Sequence, residues 1–203
     1  KLKSKKRANL SPWKKITKIV LNTKQSVNIA IIGKYVNLKD AYKSLDEALI
    51  HGGISNKVKV NLIRIESDDL KSNEIKNRLK NISGLLIPGG FGKRGTEGKI
   101  SAIKFARENK IPFLGICFGM QMAIIEFARN KLKIKKAGSS ELDKKCYPVI
   151  GLINEWDKNG KIIKGTDKDL GGTMRLGLYE AKLKNNSAIN RIYKARLIKE
   201  RHR

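Results

Sequence analysis

Between residues 26 and 130 the chain alternates short apolar runs with longer amphipathic ones, and this rhythm restricts the fold more than any other feature. "SVNIAIIGKY" (26–35) is a continuous apolar run, the pattern of a strand buried on both faces. "KDAYKSLDEALIHGG" then carries Ala41, Leu45, Ala48 and Leu49 at helical spacing, with Gly52 and Gly53 as stop signals. "KVKVNLIRIES" (57–67) alternates as a strand, and "DDLKSNEIKNRLKNI" sets Leu70, Ile75, Leu79 and Ile82 on the inner side of a helix. "SGLLIPGGFGKRG" is a short strand that breaks into a glycine-rich turn. "TEGKISAIKFAREN" reads as a helix, "IPFLGIC" as a strand and "GMQMAIIEFARN" as a helix. Strands joined by helices predict an α/β fold, a mostly parallel sheet with helices on both faces.

After residue 130 the rhythm breaks. Strand-like runs at 147–153, 161–164 and 174–183, with turns at Asn159-Gly160 and Gly171-Gly172, predict a hairpin-rich section at one edge of the sheet. "NSAINRIYKARLIKERHR" reads as a short helix and a further extended segment. At the other end, "KLKSKKRANLSPWKK" is a solvated basic arm. The expected division is a linker or arm over 1–25 and one domain over 26–203.

Composition excludes several classes. Apolar content of 40% supports a core, yet no apolar run is long enough to cross a bilayer and no secretory pattern is present, so no membrane partner is expected. Cys117 and Cys146 form neither a disulfide framework nor a CxxC pair, which fits a reducing, cytoplasmic setting. With His51 and His202 the only histidines, metal-ligand spacing is missing and no metal is expected. The net charge of +27 suggests nucleic acid, but its make-up argues otherwise. There are 34 Lys against 11 Arg, spread along the whole chain, a skew that fits AT-rich coding. Aromatic residues interleaved for base stacking are sparse, so no nucleic-acid partner is expected.

The chemistry concentrates at "GICFG" (115–119). In an open α/β sheet the reacting groups stand beyond the carboxyl ends of the strands, where the strand 111–116 delivers Cys117. The helix that follows points its amide-rich end at the sulfur and favours the thiolate. Gly115 and Gly119 flank it as Gly-x-Cys-x-Gly, the cysteine form of a nucleophile elbow, and the Phe118 amide is free to hold an oxyanion. "PGGFG" (88–92), on a separate strand, offers the second donor through Gly89 or Gly90. Taken alone, Gly-x-Cys-x-Gly reads as a small core residue between turn glycines. The second glycine loop reverses that balance.

"LIPGGFGKRGTEGKISAIKFARENKIPFLGICFGMQMAIIEFARN" resembles the glutaminase domain of the CTP synthase family, a class I (triad) glutamine amidotransferase with a flavodoxin-like fold. "GKYVNLKDAYKSLDEALIHGG", "GGTMRLG" and "KERHR" are similar to further segments of that family, and "ANLSPWKK" to the stretch that joins its synthetase domain to the glutaminase. "DAYKS" and "GGTMRLG" separate it from GMP synthase and other amidotransferases. The resemblance implies that Cys117 is the nucleophile and that Gly90 and Phe118 form the oxyanion hole. Gly90, Phe118, Gly119, Met120, Gln121 and Glu141 would contact L-glutamine, and Arg175 would belong to a lid or GTP-responsive segment. It also implies no cofactor in this domain. The synthetase domain of the same polypeptide would use UTP with ATP and magnesium, GTP would activate, and the whole enzyme would be a cytoplasmic homotetramer.

Two departures stand out: Phe118 where the family more often has Leu, and "SSELD" where it has a Thr-Glu-Phe-like segment. The family's His-Pro-Glu motif is absent from these residues. His51 reads as a surface residue near a helix end, and His202 belongs to "ERHR", which is not the triad position. The expectation is therefore a truncated glutaminase domain with its nucleophile but without its base and negligible turnover alone. The alternative is a non-catalytic amidotransferase-like module that binds or regulates a partner.

Overall fold

The computed structural model describes residues 8–36, 38, 40–71, 73–151, 155–158, 161–164 and 177–202. They fall into two compact units, Lys1–Gly151 and Leu152–Arg203. In the first, β1 (Ser26–Gly33), β2 (Lys59–Glu66), β3 (Gly84–Ile87) and β4 (Phe113–Gly115) form a parallel sheet in the order β2-β1-β3-β4. Ala30, Ile31 and Ile32 are each fully buried and all four residues of β3 are buried. Since successive strand residues point to opposite faces, both faces of the sheet are covered at its centre. This is the sheet that the continuous apolar runs predict.

The helices of this unit are α1 (Ser11–Asn22), α2 (Lys43–Asn56), the single turn α3 (Ile75–Arg78), α4 (Thr96–Glu108) and α5 (Phe118–Asn130). Ile100, Ala102, Ile103 and Ala106 of α4 and Phe118, Met122 and Ile125 of α5 join Ala30, Ile32, Leu85 and Ile87 in one core. Between α4 and α5, Glu126 is 1% exposed and accepts three hydrogen bonds from Arg107. A parallel pair, β5 (Ala137–Ser139) with β6 (Tyr147–Ile150), follows. In the second unit β7 (Glu155–Lys158) pairs antiparallel with β8 (Lys161–Lys164), and β9 (Gly177–Lys182) with β10 (Leu197–His202), the latter two separated by α6 (Ala188–Tyr193).

The basic arm, expected to be solvated, carries a helix: α1 begins at Ser11-Pro12, where proline suits the first helical turn, and none of its residues is buried. Three sequence expectations need correction. Gly52 and Gly53 do not stop α2, which runs on to Asn56 and ends at left-handed Lys57 (φ 56°). Gly53 is there for close approach, since a Cβ would stand 2.7 Å from the Val58 carbonyl oxygen. The face of α2 is also misread, as Ala41 and Ala48 are exposed while Asp46 is buried against Arg64 of β2. The helix expected over 68–82 shrinks to α3: Ile75 reaches the core as its first residue, Leu70 and Leu79 reach it from outside the helix, and Ile82 packs against it partly buried. The expected strands 147–153, 161–164 and 174–183 are observed as β6 over 147–150, β8 over 161–164 and β9 over 177–182, with 152–153 and 174–176 outside the described residues, and β7 was not foreseen. The two expected turns, Asn159-Gly160 and Gly171-Gly172, lie outside the described residues.

Candidate active site

The carboxyl ends of all four parallel strands open on one edge, and the chain reverses its order between β1 and β3, where α/β sheets place ligands. Cys117 follows β4 there and is exposed. Its backbone sits at φ 51°, ψ −104°, a strained conformation for a non-glycine residue, as the N-cap of α5. The packing around it explains the motif. A Cβ on Gly119 would meet the Ile87 carbonyl oxygen at 2.1 Å, and one on Gly115 would meet the Gly119 carbonyl carbon and Met120 nitrogen at 2.6 Å. Neither position can carry a side chain without moving β3 or α5. The turn is tied by Ile116 N–H donating to the Ile87 carbonyl (3.0 Å), Gly119 N–H to Ile116 (2.9 Å) and Gln121 N–H to Cys117 (3.1 Å). Among the described residues the Phe118 N–H has no acceptor.

The Pro88–Gly92 loop lies beside this turn. A Cβ on Gly89 would be 3.7 Å from the Cys117 Cβ, and one on Gly90 would meet nothing within 4 Å, leaving room for a ligand. Gly89, Gly90 and Phe118 share a cleft of about 400 Å³ with Gly33, Lys34, Tyr35, Tyr42, Phe91, Arg94 and Lys99. Met120 is 53% exposed and Gln121 half-buried on the first turn of α5. Glu141 is exposed in the loop after β5, with its N–H on the Ser139 hydroxyl at 3.3 Å. Arg175 lies outside the described residues. His51 is an exposed residue inside α2 and not beyond its end. Among the described residues no cluster of three His, Cys, Asp or Glu side chains could hold a metal.

A charged framework behind the cleft escaped the sequence reading. Glu66, ending β2, accepts the Tyr35 and Val36 N–H groups at 3.3 Å. Arg94 bridges Asp68 (2.9 Å) and Glu66 (3.6 Å) and lies 4.9 Å from the centre of the Tyr35 ring. Tyr42 donates its phenol to the Lys34 carbonyl at 2.5 Å, and burial raises its pKa. Lys99 is 3% exposed, donates to the Ser67 hydroxyl at 3.0 Å and stands 5.9 Å from the Phe118 ring centre. Desolvation, then the nearby charge of Lys34, lowers its pKa to about 8. The usable signal was position: Lys34, Glu66 and Ser67 directly end or follow strands whose carboxyl ends face the cleft. A second cleft of about 370 Å³ lies between α4, α5, β5 and the loop that follows β5, with Cys146 on its wall.

A cysteine at a strained strand-to-helix turn on a parallel α/β sheet lies beside a glycine loop, and residues 37–202 match the family "Glutamine amidotransferase class-I". The chain belongs to that family. It is 78% identical over its whole length to the CTP synthase of Pelagibacter ubique (strain HTCC1062), spanning 38% of that relative, and 53% identical over 198 residues to the CTP synthase of Zymomonas mobilis, spanning 36%. Among solved structures, the glutaminase domain of Trypanosoma brucei CTPS with bound acivicin is similar with a TM-score of 0.73 and 32% identity, over 88% of this chain and 66% of that one. The chain thus spans little more than a third of the CTP synthases it matches.

Proposed function

We propose that these residues are the glutaminase part of a CTP synthase, with Cys117 as nucleophile. The observation that carries the reading is the strained turn at Cys117, between glycines that cannot hold a Cβ and beside Gly89. The Cys117 thiolate attacks the side-chain amide carbon of L-glutamine, and the oxygen becomes an oxyanion held by the Phe118 and Gly90 N–H groups. The C–N bond then breaks, the departing nitrogen takes a proton and leaves as ammonia, and water hydrolyses the glutamyl thioester to glutamate. Glu141 pairs with the substrate α-ammonium, and Gly119, Met120 and Gln121 line the substrate. Arg175 belongs to a lid that responds to GTP. Ammonia passes to a synthetase domain of the same polypeptide that uses ATP and magnesium to aminate UTP, in a cytoplasmic homotetramer. No helix among the described residues is long and apolar enough to cross a membrane.

Neither His51 nor His202 occupies the family's triad position, so these 203 residues alone turn glutamine over negligibly. A positioned base contributes about 10² to 10⁴ in rate. The test compares ammonia release by this chain with a version extended through His-Pro-Glu, each with and without Cys117→Ser. The extended version should exceed the short one at least 100-fold and lose its activity with the substitution. Activity that survives Cys117→Ser refutes the assignment. An extended version without turnover indicates a non-catalytic module instead.

A further inference from the structure

The two halves of the proposed oxyanion hole are held very differently. The Phe118 half is part of α5 and is tied through Ile116 and Gly119 to β3 and β4. The Gly90 half belongs to a loop with little to hold it. Phe91 is 83% exposed, Gly90 has open space at its Cβ position, and Gly92 takes a left-handed φ of 74°. Among the described residues, the hydrogen bonds made by Pro88–Gly92 come from one side chain. The Lys34 ammonium donates to the Phe91 carbonyl at 2.5 Å and to the Gly92 carbonyl at 3.3 Å.

Lys34 is itself well anchored. It directly follows β1, and its carbonyl accepts the Tyr42 phenol at 2.5 Å. The preceding Gly33 accepts from Ser67 N–H at 2.8 Å and lies so close to Tyr42 that a Cβ would meet the phenol oxygen at 2.5 Å. A charged donor on a rigid strand end thus clasps the far side of a glycine loop whose near side is fixed by β3. Ammonium bonds to carbonyls are charge-assisted and stronger than neutral ones. The charges around the clasp are Glu66, Arg94 and Lys99, and among the described residues their hydrogen bonds and ion pairs go elsewhere, to Tyr35, Val36, Asp68 and Ser67 and between Arg94 and Glu66.

We propose that Lys34 is a positioning residue for glutamine hydrolysis: by pinning residues 91 and 92 it keeps the Gly89-Gly90 peptide aimed at the oxyanion. The proposal rests on the glutaminase reading. It acts on steps that create an oxyanion or its equivalent and leaves other reactions of Cys117 alone. Two probes separate these, and neither needs a base from elsewhere. A γ-aldehyde analogue of glutamine adds the cysteine S–H across its carbonyl: an S–C bond forms, the C=O π bond breaks and the proton ends on oxygen, which occupies the hole. Iodoacetamide instead forms an S–C bond at its methylene carbon as the C–I bond breaks and iodide leaves to solvent, and it generates no such oxygen.

The experiment uses the 203-residue chain with Lys34→Met and Lys34→Arg, measuring reversible aldehyde affinity and the alkylation rate of Cys117 at a pH where the thiol is ionised. Deleting one oxyanion donor costs about 10² to 10³ in rate, so loosening one should weaken aldehyde binding by about tenfold or more. Lys34→Met should show that loss with alkylation within twofold of the parent, and Lys34→Arg should recover most of the affinity. Aldehyde binding unchanged in Lys34→Met overturns the positioning role. Equal losses with both probes overturn it too, because Lys34 would then act on the whole turn. A parent chain that binds no aldehyde overturns the glutaminase reading itself, which separates that failure from the failure of the clasp.

Discussion

Lys99 gives the most quantitative test of the electrostatics behind the cleft. Its pKa falls from 10.5 to about 8 because burial removes the ammonium from water, and Lys34 adds repulsion. Asp68 and Glu66 act in the opposite direction, and Arg94 adds further repulsion. In the unfolded chain Lys99 stays protonated up to about pH 10.5, so between pH 8 and 10.5 the unfolded state binds the extra proton. Stability then rises with pH through that window, and below pH 8 the charge is carried in the fold at full cost. At 1.36 kcal/mol per pH unit the cost at pH 7 is about 3 kcal/mol, of which about 2 kcal/mol is relieved by pH 9.5. Lys99→Met removes this dependence and keeps a side chain of similar length over Phe118, though it also removes the Ser67 partner, worth about 1 kcal/mol. Urea unfolding of both proteins at pH 7 and 9.5, followed by far-ultraviolet circular dichroism, isolates the effect because every other titrating group is common to both. The stability of the parent relative to Lys99→Met should rise by about 2 kcal/mol between the two pH values. Parallel pH profiles would refute the argument and mean that water or a counter-charge reaches the ammonium.

Arg107→Met strands the Glu126 carboxylate between α4 and α5 and should destabilise by about 3 to 5 kcal/mol in urea titration, with much of the loss regained in Arg107→Met/Glu126→Leu. An Arg107→Met protein as stable as the parent would show that Glu126 finds water. Gly119→Ala should cost about 3 kcal/mol by overpacking against Ile87, whereas Gly52→Ala, in open space inside α2, should stabilise by about 0.5 to 1 kcal/mol. Thermal melts check both, and equal effects at the two glycines would contradict the assigned contacts.

The centre of the fold was legible because β1, β3, α4 and α5 are each encoded by an uninterrupted local pattern. The apolar runs of β1 and β3 are buried on both faces at the sheet centre, α4 and α5 bury one face each, and the glycines of "GICFG" sit where a side chain would strike backbone. The misreadings arise where tertiary packing overrides that local code. Gly52-Gly53 looks like a stop, yet Gly53 serves the approach to β2, and Asp46 turns inward only because Arg64 waits across from it. Lys34 and Lys99 were two lysines among 34; the place of Lys34 just after an apolar strand run was the one usable mark, and nothing local marks Lys99. What distinguishes them is a strand end and a buried helix face that meet 3 Å-scale partners distant in sequence, Phe91 and Ser67. The cysteine was readable from its neighbours in the chain, while the charged framework behind the cleft is assembled from segments far apart in sequence, from Lys34 to Lys99.

The steric closure around Cys117 also bears on how this site can vary, in nature or in a laboratory library. Of the five residues 115–119, the two glycines are excluded from change by backbone contact, and the cysteine is fixed by the role proposed for it. Diversity is therefore channelled into Ile116, which is 39% exposed, and Phe118, whose ring lies under Lys99. A leucine at 118 would give that ammonium no aromatic face. Positions 118 and 99 should thus be exchanged together in any chimera between this chain and its relatives, and randomising the elbow without its distant lysine would sample mostly mismatched pairs.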